Sequence, residues 1–426
     1  MATTADVASE FAALNKLYSS GDPVERNPFP MYRELRDKRP IMDGDILARY
    51  GVPSQADYIL SGRQIYSLFR YEDVARALQD DETFSAGLQA IGLGDFLGDG
   101  ILTAYSGTEH RKLRGAMAKA LTPTTLRDWR SQLIEPQIRN HLEALKPRGK
   151  CDLVSEFTLR FPIDVVYRIL GYPDDSEFAA QFAGWALRIL SGTPTDPEAV
   201  TQAHAAALEA SRNIYDATLE VVKARRKAGA DGTDMMSRMI SAEYEGETLD
   251  DHIITSLIRG LLPAAAETTT RTLGNMLVLL MDRPEMLSRL RDDRSLMTKA
   301  ITETMRMEPT AAYLARETRV DTEFHGVKVP AGTALSLCIG SANRDERVFE
   351  NPDELDFDRK LTPTMLGFGA GAHICLGMPL ARLEVEVAMN AILDILPAIR
   401  RDSDAPRSEI VGLNLRGPDD LNVCWY

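Results

Sequence analysis

One cysteine in this sequence has the surroundings of a metal ligand. Cys375 lies between Gly369, Gly371 and Gly377, where missing side chains let the backbone approach a flat cofactor and aim N–H groups at the sulfur. Residues 378–382 then start a helix, with a proline tolerated in the first turn. Because the aligned peptide dipoles at a helix N-terminus favour negative charge, we expect Cys375 to be held as a thiolate.

The other cysteines, Cys151, Cys338 and Cys424, lie far apart and form no CxxC pair. This spacing argues against a disulfide framework and against a cysteine-rich zinc site. We interpret the three as small buried hydrophobic residues. Reduced thiols of this kind suit a cytoplasmic protein.

A carboxylate and a hydroxyl interrupt a long apolar helical pattern. Glu267 and Thr268 lie within residues 249–281, where a carboxylate is unfavourable unless it has a partner or a role in chemistry. Pro263, just before them, removes one helical N–H and is expected to bend the helix. The residues alone leave two readings open, in which Thr268 caps a helix start or the two side chains move protons.

A glutamate and an arginine, Glu303 and Arg306, stand at i,i+3 in the helical segment 295–308. Met297, Ile301 and Met305 mark the buried side of this segment. Taken alone, the pair indicates no more than a common surface ion pair, which contributes little to stability.

A histidine and an arginine, His110 and Arg114, stand at i,i+4 and therefore share one helix face. Ser106 and Glu109 predict a capping box at the start of this helix. A solvated basic helix face would have the same spacing, so the pattern alone does not assign a ligand.

Helices are predicted to position most of these residues. Helical periodicity dominates from residue 106 to residue 309, and strand-like sequence is confined to residues 57–69 and 317–341. The clearest helical segments are 126–145, 203–223, 249–281 and 295–308. No repeat or Gly/Ser-rich linker divides the chain, so we expect one domain over residues 1–426, mainly α with a small β region.

The composition excludes several classes of protein. The chain has 426 residues, 44% of them hydrophobic, which is enough for a large core around a buried cofactor. A net charge of −14 argues against general nucleic-acid binding, which needs a basic surface. No apolar run is long enough to cross a bilayer, and the N-terminus lacks a signal-peptide pattern. We therefore expect a cytoplasmic protein without a nucleic-acid or membrane partner.

Residues 368–377 resemble the haem-ligand loop of the soluble, bacterial-type cytochromes P-450. The likeness extends from residues 27–30 to the C-terminal strand region and is most specific between Ala264 and Arg382. It implies the single-domain fold of that family, haem b as the cofactor and Cys375 as the axial ligand of the iron. A thiolate ligand pushes electron density onto the iron and favours O–O cleavage.

The resemblance also implies roles for residues outside this loop. Glu303, Arg306 and Arg359 would form a network that locks the scaffold of the ligand loop. Glu267 and Thr268 would be the acid–alcohol pair of the family, with Thr268 hydrogen-bonding dioxygen or water and Glu267 relaying protons. The residues expected to hold the haem are His110, Arg114, Arg316, Phe368, Gly369, His373, Cys375 and Gly377.

By the same resemblance, the substrate pocket would be lined by Leu261, Ala264, Ala265, Ala312, Tyr313 and Leu413. The family usually has glycine at Ala265, whose methyl group would narrow the groove for dioxygen and water. Tyr313 and Asn414 are the candidates for orienting polar groups. Residues 84–105 would be a lid, made flexible by Gly87, Gly92, Gly94, Gly98 and Gly100. Neither the lid nor the pocket-lining positions include Arg or Lys. This absence of cations predicts an apolar, uncharged substrate such as a terpenoid or an aromatic compound.

The implied reaction is monooxygenation, in which one atom of O2 enters the substrate and the other leaves as water. One alternative is a haem-thiolate isomerase or dehydratase that needs no external electrons. Another is a haem-binding sensor without catalysis. The pair Glu267 and Thr268 favours catalysis, since a sensor has no use for a proton relay.

Electrons for this reaction must come from another protein, because the chain has no flavin or nicotinamide fingerprint; residues 92–98 have the wrong glycine spacing. We expect an acidic ferredoxin or a flavodoxin with its reductase. The expected docking surface, which in the family lies over the thiolate side of the haem, contains Arg111, Lys112, Arg114, Lys119, Arg127, Arg130 and Arg382. An ordinary solvated helix face would have a similar composition.

Overall fold

The structure is a computed structural model that describes residues 4–54, 56, 63–88, 93–173, 175–192, 197–244, 246–360, 362 and 364–426. Within these residues the chain is mainly helical with small sheets, as expected. The helices are α1 (Thr4–Leu17), α2 (Phe29–Lys38), α3 (Tyr71–Gln79), α4 (Gly94–Leu97), α5 (Gly107–Ala120), α6 (Pro123–Trp129), α7 (Glu135–Leu145), α8 (Phe161–Leu170), α9 (Ser176–Leu190), α10 (Pro197–Ala228), α11 (Met235–Ile240), α12 (Asp251–Met281), α13 (Pro284–Asp292), α14 (Met297–Met307), α15 (Ile339–Ala342) and α16 (Met378–Ile395). In the part of the chain so described, no helix combines the length and apolarity needed to cross a bilayer.

The strands are short and form one main sheet and three smaller ones among the described residues. They are β1 (Ile41–Asp43), β2 (Ile65–Leu68), β3 (Phe84–Ser85), β4 (Lys150–Asp152), β5 (Glu243–Tyr244), β6 (Glu247–Thr248), β7 (Tyr313–Thr318), β8 (Thr322–Phe324), β9 (Val327–Val329), β10 (Ala334–Cys338), β11 (Arg400–Arg401) and β12 (Asn422–Cys424). The main sheet has the order β1-β2-β10-β7-β3. Its β7 carries Arg316, which this sheet holds near Asp81 in the turn between α3 and β3.

Helix α12 forms the centre of the core. It begins after Asp250, whose side chain accepts a hydrogen bond of 2.8 Å from the backbone N–H of Ile253, and it continues unbroken through Pro263. Side chains such as Leu257 and Met276 are fully buried. Helix α12 packs against α8, α9, α10, α14 and α16 and stays accessible at Ala264.

The predicted elements are present with shifted ends. Helix α10 extends the predicted segment 203–223 at both ends, and a π-helical turn, Arg130–Ile134, divides the predicted segment 126–145 between α6 and α7. In the region predicted as strands, β7 already begins at Tyr313, and residues 339–342 form α15 instead of extended chain. Pairing of β7 with β10 sets these limits, which local propensity does not contain. Residues 57–62 of the other predicted strand lie outside the described residues.

The described part of the predicted lid is packed against α12 through two glycines. A Cβ atom on Gly100 would lie 2.3 Å from the carbonyl oxygen of Ser256. A Cβ atom on Gly260 would lie 2.1 Å from the carbonyl oxygen of Gly100. Two backbones approach this closely only where neither carries a side chain, so Gly100 serves packing.

Hydrogen bonds also fix this segment. Arg259 of α12 donates to the carbonyl oxygen of Leu97, and Ser211 of α10 donates to that of Phe96. Gly100 is therefore required for packing, and the flexibility of the lid stays a prediction. Gly92 lies outside the described residues.

Gly260→Ala should destabilise the protein, because its new methyl group meets backbone that cannot rotate away. Overpacking of this kind lowers the free energy of unfolding by about 1–3 kcal/mol. Gly184 in α9 is the matched control, since a Cβ atom there would meet nothing within 4 Å. Gly184→Ala should raise the free energy of unfolding by up to about 1 kcal/mol through helix propensity. Denaturant titration of both variants checks this, and equal shifts would contradict the close contact.

Candidate active site

The loop before α16 presents Cys375. The backbone N–H of Cys375 donates a hydrogen bond of 2.8 Å to the carbonyl oxygen of Phe368, which closes the loop. Helix α16 begins at Met378 and has Pro379 in its first turn, as the sequence predicts. The cysteine therefore lies three residues before the first residue of a helix.

Two glycines set the path of this loop. Gly369 and Gly371 both have a φ of +71°, in the left-handed region that other residues rarely adopt. A Cβ atom on Gly371 would also lie 2.7 Å from the carbonyl oxygen of Leu78 in α3. The loop is thus fitted closely against α3, and glycine is required on both counts.

The thiol of Cys375 experiences opposing electrostatic effects. Its side chain is exposed, yet the desolvating protein around it raises its pKa, while the backbone N–H groups of Gly377 and Met378 and the charge of Arg114 lower it. Because desolvation outweighs the other effects, the peptide N–H groups are not sufficient by themselves, and the thiolate stays a prediction for the metal-bound protein. A bound metal cation would supply the missing stabilisation.

Four basic side chains gather beside the loop. They are His110 and Arg114 of α5, Arg316 of β7 and His373. The ring centroids of His110 and His373 are 4.3 Å apart. Arg114 donates a hydrogen bond of 2.6 Å to the carbonyl oxygen of Ile374. Helix α5, β7 and the loop therefore converge on one cationic region.

The start of α5 differs from the prediction. Ser106 precedes the helix, but its side chain makes no capping hydrogen bond. Gly107 has a φ of +59°, and this left-handed turn directs the chain so that the capping box with Glu109 does not form. The prediction of that box is wrong, although His110 and Arg114 do share a face.

The cationic region has the properties of a site for carboxylates. Burial, together with the charge of His373, lowers the pKa of His110 to about 4, and burial lowers the pKa of Arg316 to about 10. Nε2 of His110 and Nδ1 of His373 are buried and have no hydrogen-bond partner among the described residues. Buried polar atoms without partners call for a ligand that pairs with them. The two carboxylates of a haem fit these donors, and the accessible sulfur of Cys375 fits its iron.

An aspartate that the sequence did not single out takes part in this region. Nε2 of His373 and Oδ1 of Asp81 are 3.0 Å apart. The charge of Asp81 also opposes the lowering of the pKa of Arg316. Asp81 stands in an acidic run with Asp80 and Glu82, so only the tertiary structure distinguishes it.

Glu303, Arg306 and Arg359 lie together in one hydrogen-bonded cluster. Arg306 donates two hydrogen bonds to Glu303, of 2.8 and 2.9 Å, and Arg359 donates one of 3.0 Å to the same carboxylate. Arg306 is 1% exposed and also donates to the carbonyl oxygen of Pro352 at 2.6 Å. The pair is therefore a buried, fully bonded network, and the reading as a surface ion pair is wrong.

The two residues of the acid–alcohol pair face different parts of the protein. Thr268 shares a helix face with the exposed Ala264, and its hydroxyl donates to the carbonyl oxygen of Ala264 at 3.0 Å. Oε1 of Glu267 accepts a hydrogen bond of 2.6 Å from Arg271, and both side chains are 2% exposed. Thr268 lies inside a helix, so it does not cap one. Glu267 must leave its ion pair before it can exchange a proton with Thr268.

A second buried acid, Glu384, lies beside Thr269, the residue that follows Thr268 in α12. Glu384 of α16 is 1% exposed, and burial raises its pKa to about 8. A hydrogen bond with the hydroxyl of Thr269 partly offsets this rise. One of its oxygens, Oε1, has no hydrogen-bond partner among the described residues. Sequence reasoning missed Glu384, because a glutamate in a helix usually faces solvent and nothing nearby marks it as buried.

The predicted pocket residues divide into two groups. Leu261, Ala264 and Ala265 on α12 are at least partly accessible. Three others, Ala312, Tyr313 and Leu413, are buried in the core. The hydroxyl of Tyr313 donates to the hydroxyl of Tyr32 at 3.0 Å, and the amide of Asn414 donates to the carbonyl oxygen of Pro53 at 2.9 Å. Their polar groups are engaged in packing, so their prediction as orienting groups is wrong.

Three of the seven basic residues of the predicted docking surface bond acidic residues or their backbone. Nζ of Lys112 lies 2.6 Å from a carboxylate oxygen of Glu247, and Arg130 forms an ion pair of 2.8 Å with Glu386. Lys119 donates to the carbonyl oxygen of Glu243. The β5–β6 hairpin thus places Glu243 and Glu247 next to α5.

The remaining charges of this surface differ in setting. Arg111 and Arg127 are exposed and bond threonine hydroxyls, at 2.9 Å to Thr108 and 3.4 Å to Thr124. The guanidinium of Arg382 lies 5.3 Å from the ring centroid of Phe368 in the ligand loop. A partner would meet Arg111 and Arg127 as accessible cations.

Glu384→Gln should remove a pH dependence of stability. Because burial raises the pKa of Glu384 from 4.5 to about 8, the folded protein keeps a proton that the unfolded chain releases between these values. The free energy of unfolding should therefore fall as pH rises through this window and be greatest below it. As the pH rises from about 5 to about 8, the melting temperature of the wild type should fall relative to that of Glu384→Gln.

The control is Glu386→Gln on the same helix, which removes a carboxylate paired with Arg130 at the surface. A difference between wild type and Glu384→Gln that stays constant over this pH range would contradict a buried neutral acid at this position.

Comparison with known proteins adds an independent finding. A family description, "Cytochrome P450", matches residues 57–396. Pulcherriminic acid synthase of Bacillus subtilis is 30% identical over 421 residues, covering 96% of this chain and 98% of that protein. Erythromycin C-12 hydroxylase of Saccharopolyspora erythraea is 32% identical over 377 residues, covering 88% of each chain. A crystal structure of CYP109E1 from Bacillus megaterium with corticosterone has a TM-score of 0.81 at 25% identity, covering 95% of this chain and 100% of that one.

These similarities extend over nearly the whole chain and include the region of the cysteine loop, the cationic region and α12. They agree with the fit of haem b to Cys375 and to the unpaired donors of His110 and His373. The chain therefore belongs to the cytochrome P450 family of haem b-containing monooxygenases.

Proposed function

We propose that this monooxygenase acts on an apolar, uncharged small molecule, such as a terpenoid or an aromatic compound, with electrons from a separate ferredoxin or flavodoxin. The observation that carries the substrate class is the accessible face of α12 at Leu261, Ala264 and Ala265. This face is apolar, and a mostly apolar lining is typical of sites for apolar ligands.

Two arginines that could have anchored a carboxylate substrate have other partners. Arg259 of α12 donates to the carbonyl oxygen of Leu97 and lies 5.0 Å from the ring centroid of Tyr215. Arg188 of α9 bonds Glu10 at 3.1 Å. The engagement of both cations supports an uncharged substrate.

The names of the relatives limit the choice only broadly. One forms pulcherriminic acid, one hydroxylates erythromycin, and a third was crystallised with corticosterone, which is an uncharged steroid. Because these substrates differ in size and chemistry, the class proposed for this chain depends on its own residues. Four free cysteines suit the reducing cytoplasm, where we place the protein.

Haem b, when bound through Cys375, supplies the iron at which O2 is reduced and one oxygen atom is transferred to the substrate. Thr268 offers a hydroxyl on the accessible face of α12, where it can hold water or pass on a proton. Glu384 is a protonated acid at neutral pH, since its pKa is raised to about 8, and Thr269 connects it to α12. Glu267 is the acid on the other side and is held by Arg271. We assign proton supply to these acids and proton transfer to Thr268.

The test begins with a titration of haem-loaded protein with neutral apolar compounds and matched carboxylic acids, following the change in the haem spectrum. Neutral compounds should bind and be oxygenated when reductant, partner and O2 are present. Thr268→Ala should then consume reductant but form less product, because proton transfer contributes about 10²- to 10⁴-fold. Product and hydrogen peroxide, each measured per reductant consumed, report this loss of coupling.

Thr270→Ala is the matched control, since its hydroxyl leaves the same helix to bond the carbonyl oxygen of Thr158 at 2.8 Å. It should keep its product yield. Binding by the carboxylic acids alone would overturn the substrate class, and unchanged coupling in Thr268→Ala would overturn the relay. Product formed without reductant would favour an isomerase or dehydratase.

Arg127→Glu should slow reduction by an acidic partner, because Arg127 is an exposed cation of the proposed docking surface. The reduction rate should fall further with added salt in wild type than in the variant. Lys112→Glu is a less direct test, since it also breaks the pair with Glu247. Reduction rates that respond to neither Arg127→Glu nor salt would contradict docking at this surface.

A further inference from the structure

The N-terminal helix α1 lies against α9 and reaches the central helix at one place. Phe11 and Leu14 of α1 are buried, and Glu10 bonds Arg188 of α9. Its other side, at Ser9 and Lys16, is exposed. The helix is therefore docked by one face, and this face is the one that meets α12.

The contact with α12 is made by Arg271. Nη2 of Arg271 donates to the side-chain carbonyl of Asn15, and the guanidinium lies 5.1 Å from the ring centroid of Phe11. The same guanidinium donates through Nε to Glu267 at 2.6 Å. One side chain thus links α1 directly to the acid of the acid–alcohol pair.

The C-terminal loop closes the other side of Arg271. A Cβ atom on Gly417 would lie 2.8 Å from Cγ of Arg271, so backbone presses on the arginine stem. Asp419 in this loop is near enough for the charge of Arg271 to oppose the burial that raises its pKa. Together α1 and this loop leave Arg271 and Glu267 each 2% exposed.

The arrangement places Glu267 and Thr268 on different sides of α12. Successive helix positions differ by about 100°, so Thr268 faces the accessible side of α12 while Glu267 faces α1. A proton that reaches Glu267 from this side must pass Arg271, Asn15 and Phe11. An ion pair kept from water also opens less readily than a solvated one.

We propose that α1 is a cover for the Glu267–Arg271 pair, and that solvent reaches this acid when α1 lifts from Arg271. The proposal rests on the relay role given to Glu267 under the proposed function. With α1 docked, Arg271 holds Glu267 away from Thr268 and water is kept out. With α1 lifted, water hydrates the guanidinium and frees the carboxylate.

The cover can be trapped open with a cysteine on its inner face. In a Cys424→Ser background of the haem-loaded protein, Phe11→Cys should react with a maleimide at least about tenfold more slowly than Ser9→Cys, because only lifted α1 exposes it. Labelled Phe11→Cys cannot redock. More of its reductant should then be consumed in forming hydrogen peroxide, in which O2 takes up two electrons from the reductant and two protons from solvent.

Asn15→Ala gives the same test without a label, since it removes the hydrogen bond to Arg271 and leaves the buried Phe11 and Leu14 in place; Lys16→Ala is its exposed control. Asn15→Ala should release more peroxide than Lys16→Ala while haem content and substrate binding stay unchanged. In a Glu267→Gln background, the labelled Phe11→Cys and the Asn15→Ala changes should have no further effect, because the acid that they uncover is absent.

The outcomes separate the cover from the relay. Equal labelling of Phe11→Cys and Ser9→Cys would overturn the cover, because α1 would then not be docked. Normal coupling in labelled Phe11→Cys and in Asn15→Ala, with coupling lost in Glu267→Gln, would overturn the cover and leave the relay intact. Normal coupling in Glu267→Gln would overturn the relay of Glu267, and the cover with it.

Discussion

The buried charge of Arg306 is the constraint on which the cysteine loop depends. A guanidinium in the core requires a full set of acceptors, and Arg306 finds them in Glu303 and in the carbonyl oxygen of Asn343, at 3.2 Å. The side chain of Asn343 accepts a hydrogen bond of 2.7 Å from the N–H of Leu366, whose carbonyl oxygen accepts one of 2.8 Å from Gly369. A charge on α14 is therefore connected, through consecutive hydrogen bonds, to the loop that presents Cys375.

Two buried acids, Glu267 of α12 and Glu384 of α16, have contrasting surroundings. Glu267 has a guanidinium as its partner, whereas Glu384 has only a threonine hydroxyl and a pKa of about 8. Acids whose environments differ in this way are suited to different tasks. Glu384 is suited to hold a proton inside the protein, whereas Glu267 is held by Arg271 away from water.

What the sequence predicts well are groups whose chemistry is local. The glycines around Cys375, the start of α16 and the helical spacing of His110 and Arg114 are properties of neighbouring residues, so they can be read without a fold. The missed residues, Asp81 and Glu384, owe their character to distant partners and to burial. For the same reason Tyr313 was assigned to the pocket, although a hydrogen bond to Tyr32 engages it in the core.

The reciprocal fit of Gly100 and Gly260 has a consequence for how this protein can vary. Each position already carries the smallest possible side chain, and each added methyl group would strike main-chain atoms. A change at one position therefore cannot be compensated by a change at the other. Contacts between side chains differ, because the side chains can be repacked. Variants of this protein with altered specificity should therefore keep both glycines and differ where side chains contact side chains.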